Sequence, residues 1–199
     1  MTLPTLLQEV YTCTHCRDML PFAPNPVLRA GEEARILIVG QAPGTKVHAT
    51  GIPWNDASGN RLRVWLNMPP EQFYDTQQVA IIPMGFCYPG KGSSGDLPPR
   101  PECAPLWHPR LLATLPNIRL TLLIGHYAQA YYLGNTRKKT LKDTVAAWEK
   151  YQQQGFFPLV HPSPRNQRWL RNNPWFEKSV IPALRNTVQQ ALHSNNDHR

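Results

Sequence analysis

Ile36-Leu37-Ile38-Val39-Gly40-Gln41-Ala42-Pro43-Gly44 decides the fold: four aliphatic residues without polar alternation, followed by a turn built from glycines and a proline. A short apolar run bounded by turn residues reads as a strand covered on both faces, the habit of parallel sheets. Three more runs repeat the pattern, at Val79-Ala80-Ile81-Ile82, Leu120-Thr121-Leu122-Leu123-Ile124 and Phe156-Phe157-Pro158-Leu159-Val160. Helical periodicity fills the gaps. Leu62, Trp65 and Leu66 share one face, and Leu106, Leu111, Leu112 and Leu115 mark a helix after Pro105 or Pro109. Ala128 to Leu133 follows Gly125, Leu141, Val145 and Trp148 suggest a further helix, and the last begins near Phe176, with a kink or late start at Pro182. Strands alternating with helices predict an α/β fold, a three-layer α/β/α arrangement around a central, mostly parallel four-stranded sheet.

The 199 residues suit one domain, expected over residues 1–193, with a disordered polar tail at 194–199. No apolar run approaches the roughly 20 residues of a membrane helix. The N-terminus lacks the basic start and apolar stretch of a signal peptide, so a cytoplasmic location is expected. Lys and Arg total 21 against 13 Asp and Glu, a formal charge of +8 that favours a polyanionic partner. A merely soluble basic protein has the same charge. Proline reaches 21 residues, which predicts long structured loops, including a Gly/Ser/Pro-rich surface loop from Pro89 to Pro101.

In parallel sheets, ligands sit beyond the carboxyl ends of the strands. The residues there are Gly40-Gln41-Ala42-Pro43-Gly44, Pro83-Met84-Gly85-Phe86-Cys87, Gly125-His126 and His161-Pro162-Ser163-Pro164. The first can turn sharply with backbone N–H groups and the Gln41 amide facing a ligand, or be a plain strand-to-loop turn. Trp54, in Thr50-Gly51-Ile52-Pro53-Trp54-Asn55-Asp56, can stack on a base or pack in the core, and Asp56 can cap the next helix. His161 stands where it could donate to a developing oxyanion, or be a satisfied buried histidine. Arg165, Arg168, Trp169, Arg171 and Trp175 mix cations with aromatics, as a phosphate grip and base-stack wedge would need, or form a solvated basic loop.

Cys13 and Cys16 form C-x2-C, and fifteen residues separate Cys87 from Cys103. Four thiolates with one close pair suit zinc or an iron–sulfur cluster; buried free thiols are the alternative. The spacing does not match a compact zinc ribbon, which would carry two close pairs.

Taken together, these motifs resemble the iron–sulfur uracil-DNA glycosylases of bacteria and archaea, from about Leu6 to Leu192. The resemblance implies a [4Fe-4S] cluster on Cys13, Cys16, Cys87 and Cys103, with one structural zinc as the alternative. It matches the first motif to Gly40-Gln41-Ala42-Pro43-Gly44, the uracil-stacking aromatic to Trp54 and the second motif to His161-Pro162-Ser163. It implies a monomer acting on DNA, with Arg165, Arg168 and Arg171 on the strand and no membrane. The expected catalytic set is His161, Gln41 and, by its place next to Trp54 in the sequence alone, Asp56; Gly40, Ala42, Pro43, Gly44, Trp54, Asn55 and Ser163 would contact the substrate.

Three departures mark a divergent branch. Gln41 replaces the first-motif Glu, and Thr45, Lys46, Val47 and His48 replace the acids that usually follow. Pro83 stands where the family's base-reading asparagine would be, with no side-chain donor or acceptor. Asn55-Asp56 replaces a glycine-rich segment. The expected activity is hydrolysis of the N-glycosidic bond of a flipped-out uracil or other damaged base. A catalytically silent nucleic-acid-binding protein is the alternative, and cleavage of a free nucleoside is a third option, disfavoured by the basic loop.

Overall fold

The computed structural model describes residues 1–193; the tail expected over 194–199 lies outside them. Among the described residues the strands are β1 (Ile36–Val39), β2 (Val79–Ile81), β3 (Lys91–Gly92), β4 (Gly95–Asp96), β5 (Leu120–Ile124) and β6 (Phe156–Leu159). The helices are α1 (Leu3–Tyr11), α2 (Thr45–Thr50), α3 (Ala57–Leu66), α4 (Pro70–Phe73), α5 (Cys103–Leu112), α6 (His126–Leu133), α7 (Leu141–Ala146), α8 (Trp148–Gln152), α9 (Gln167–Asn172) and α10 (Ile181–His193).

The sheet runs β2-β1-β5-β6 and every pairing in it is parallel. Successive side chains of β1 point to opposite faces, and both faces are covered. Ile36 and Ile38 pack with Leu62 and Leu66 of α3 and Leu184 and Val188 of α10. Leu37 and Val39 pack with Leu6 and Val10 of α1, Leu111 of α5 and Leu133 of α6. Burying each such side chain contributes about 1.5–3 kcal/mol, so a strand apolar at every position is stable only between two helical layers. The expected α/β fold with a four-stranded parallel sheet is the one observed.

Both margins of the sheet are closed. Outside β2, Arg29 and Ile81 exchange backbone hydrogen bonds of 2.9 and 2.7 Å in an isolated antiparallel bridge. On β6, the carbonyls of Gly155 and Leu159 accept from Thr121 and Gly125, so Pro158 turns the other way and presents no N–H to the outside. No helix among the described residues is long and apolar enough to cross a membrane.

Several expectations are adjusted. The pattern through Leu141, Val145 and Trp148 forms two helices, because the chain leaves helical geometry at Ala147. Helix α5 starts at Cys103, ahead of both prolines, and carries Pro109 inside it. The stretch from Pro89 to Pro101 contains the β3–β4 hairpin. Pro182 cannot donate to the preceding turn, and Phe176–Val180 widens there into a π-helical turn ahead of α10.

Candidate active site

The parallel strands all end on one side, and their connecting loops enclose a cavity of about 280 Å³. Gly40 to Gly44 after β1, Pro83 after β2, and His161 and Ser163 after β6 line it, with Trp54 and Asp56 from the segment before α3. The β1 loop is pinned to the end of β2: Met84 N–H donates to Gly40 O and Gly85 N–H to Gln41 O, each at 2.9 Å.

Trp54 is held in a left-handed backbone conformation, φ 58°, unusual for a residue with a Cβ. Its neighbours supply the restraint. Arg63 Nη1 donates to the Trp54 carbonyl and to Tyr74 Oη, both at 3.2 Å, and Tyr74 Oη donates to Pro53 O at 2.8 Å. Two glycines make room: a Cβ on Gly40 would stand 2.8 Å from the indole, and one on Gly59 would stand 1.7 Å from the Trp54 carbonyl oxygen. The indole therefore lies across Gly40, with its ring centroid 5.6 Å from that of His161. The alternatives of stacking surface and core residue meet here: Trp54 packs partly on the core and also faces the cavity.

The Ser163 N–H donates to His161 Nδ1 at 3.1 Å, and Asn166 Nδ2 donates to the His161 carbonyl at 2.8 Å. A backbone N–H can only donate, so Nδ1 carries the lone pair and the ring proton sits on Nε2. Burial lowers the imidazole pKa, opposed by the Asp56 charge, which favours the neutral ring. Asp56 also accepts from Gly59 N–H at 2.8 Å as the cap of α3. Ser163 Oγ accepts from Arg165 N–H, and its carbonyl from Arg61, whose other nitrogen reaches Gln167 Oε1 at 2.8 Å. The Gln41 amide donates to Leu97 O at 3.2 Å, reaching the segment after the hairpin.

Asn55 lies outside the residues that line the cavity, between Trp54 and the capping Asp56. Arg165 lines it and donates to Ser94 O at 3.0 Å. Arg168 and Arg171 are exposed on α9. Trp169 and Trp175 are half-buried, each packing edge-on against Phe176 at the margin of the core. Sequence reasoning missed Asp96, which lines the cavity from β4; the Gly95-Asp96 turn signal was its available cue. It also missed Arg61, Arg63 and Tyr74, which act through tertiary contacts alone.

Below the cavity, His108 is buried and bridges Pro83 O, at 2.9 Å from Nε2, and Tyr132 Oη, at 2.7 Å from Nδ1. The Pro83 carbonyl only accepts, so the ring proton is on Nε2. Burial pushes the His108 pKa down to about 4.

On the far side of Phe86, Cys13, Cys16, Cys87 and Cys103 line one apolar hollow of about 30 Å³, with Arg100 and Trp107 in its wall. Burial, with a smaller push from the neighbouring cysteines, raises the free Cys103 thiol to about 12 and Cys87 to about 11. Such a set holds its charge when a cation is present to offset it. Four thiols around one apolar hollow fit a thiolate-bound metal group. Among the described residues no three His, Cys, Asp or Glu side chains converge tightly around a single ion.

The Uracil DNA glycosylase superfamily profile matches residues 29–185, a span that holds the parallel sheet and every cavity-lining residue except Val27. With that match and this strand order, the chain belongs to the uracil DNA glycosylase superfamily.

Proposed function

We propose that the protein is a DNA glycosylase that hydrolyses the N-glycosidic bond of a flipped-out uracil or other damaged base. The observation that carries this reading is the convergence of Gly40 to Gly44, Trp54 and His161 on one cavity. Extracting a base costs a few kcal/mol, which phosphate contacts offset. Arg168 and Arg171, exposed on α9 beside the His161 loop, suit that role. The base enters against the indole of Trp54, and its departure leaves negative charge on the ring. His161 Nε2–H donates to that charge, and a donor already fixed in place costs no reorganisation when the bond breaks. The Gly40 to Gly44 loop and Ser163 shape the wall around the base.

The four cysteines would hold a [4Fe-4S] cluster. The four cysteines line one hollow, and a single structural zinc held by the same four sulfurs is the alternative. The cluster would tie the start of the chain to the β2 loop and α5, leaving no open position for substrate. Elemental analysis of purified protein showing iron and sulfide supports this assignment; one zinc per chain rejects it.

A second reading, a binder without catalysis, is favoured by the Gln41 amide engaged with Leu97 O and by Pro83, which has no polar side-chain atom in the cavity wall. Oligonucleotides carrying uracil, hypoxanthine, xanthine and oxidised or alkylated bases separate the two. Abasic sites from any lesion establish the glycosylase, and salt-dependent binding without release from any establishes the binder.

A further inference from the structure

The loop after β1 supplies no carboxylate to the cavity, and the Gln41 amide cannot take a proton. Among the described residues lining the cavity, the carboxylates are Asp56 and Asp96. Asp56 spends Oδ1 on the cap of α3. Asp96 is different: its carboxylate makes no hydrogen bond or ion pair among the described residues, and it also borders the adjoining recess of about 270 Å³ that reaches His161 and Ser163. A Cβ built on Gly44 would lie 3.5 Å from Asp96 Oδ2, so the carboxylate overhangs the end of the β1 loop.

The hairpin that carries it is anchored from both walls. Gln41 Nε2 donates to Leu97 O at 3.2 Å on one side of Asp96, and Arg165 Nη1 donates to Ser94 O at 3.0 Å on the other. Gly95, at φ 140°, permits that second contact, since a Cβ there would meet the guanidinium. Arg165 is thus engaged by a carbonyl and makes no ion pair with Asp96; Lys91, the partner of Asp96 across the hairpin, and the Tyr88 hydroxyl are the other polar groups facing the carboxylate.

We propose that Asp96 is a catalytic residue, the carboxylate that positions and deprotonates the attacking water and faces the cationic sugar; this rests on the glycosylase reading. The C1′–N bond breaks with its electron pair on the base, and the water oxygen bonds to C1′. One proton of that water passes to Asp96 and then to solvent, and solvent protonates the released base. A positioned general base contributes about 10²–10⁴-fold.

Asp96→Asn, Asp96→Ala and Asp96→Glu test it on the intact, metal-loaded protein. The side chain is exposed, so all three keep the wild-type melting temperature. Asn and Ala lower the single-turnover excision rate by about 10²-fold or more without weakening DNA binding; Glu restores part of the rate. Independently of turnover, wild type binds DNA bearing a cationic pyrrolidine abasic analogue more tightly than DNA bearing neutral tetrahydrofuran, and Asp96→Asn loses that preference. Unchanged rate and preference in Asp96→Asn overturn the assignment while excision stands. No release by wild type from any lesion overturns excision itself, and the Asp96 role with it.

Discussion

The backbone N–H of Ser163 sits 3.1 Å from Nδ1 of His161, and this one contact decides which face of the imidazole carries a proton. Protonation of the ring would put two donors against each other, so the contact and the burial of the ring both favour the neutral form. Because burial lowers the pKa, His161 stays a neutral donor to lower pH than a solvent-exposed histidine would. The His161-dependent part of excision is therefore expected to persist to lower pH than an exposed histidine would allow, read from the pH profile of wild type against His161→Ala. His161→Ala is expected to reduce the rate about 10²–10³-fold, measured by release of base in single-turnover assays.

Gly40 and Gly59 fix Trp54 from two sides. Gly40→Ala forces the indole off its seat, and Gly59→Ala collides with backbone, which yields less readily than a side chain. Overpacking of this kind costs about 1–3 kcal/mol. Thermal denaturation is expected to show a larger loss for Gly59→Ala than for Gly40→Ala, with excision lowered in both.

Acid sensitivity is expected from His108. Its folded pKa of about 4 lies below the 6.5 of a free histidine, so between those values the unfolded chain binds a proton that the folded one refuses. Stability contributed by the neutral ring is complete above pH 6.5, declines as pH falls, and is lost by about pH 4. The integrated loss is on the order of 3 kcal/mol. Urea midpoints across this range test it: His108→Gln is expected to be weaker at neutral pH and to have a flatter profile.

Arg168 and Arg171 are exposed on α9. If they rest on phosphates, Arg168→Ala and Arg171→Ala each reduce the slope of log affinity against log salt by about 1. Anisotropy titrations at several salt concentrations read this directly, and an unchanged slope in the double variant removes α9 from the DNA path.

The sheet was legible because strands covered on both faces must be apolar at every position, and each run ended within one residue of its expected limit. The loops that follow the strands were legible for the same reason, which brought Gly40, Trp54 and His161 under scrutiny. What escaped depends on partners distant in sequence. Asp96 reaches the cavity only because Arg165 and Gln41 hold its hairpin there. Arg63 and Tyr74 support Trp54 through contacts that no local pattern records. The packing of Trp169 and Trp175 on Phe176 also escaped, because composition reports a residue's chemistry and not its direction.

The Arg29–Ile81 bridge and the outward-turned Pro158 have a consequence for crowding. A cationic protein gathers at high local density along a polyanion, where open ribbons of backbone would zip neighbouring molecules together. With a chain segment laid over one border and a missing donor on the other, strand addition is discouraged at both ends of the parallel array. Molecules can accumulate on one nucleic acid without that route into aggregates.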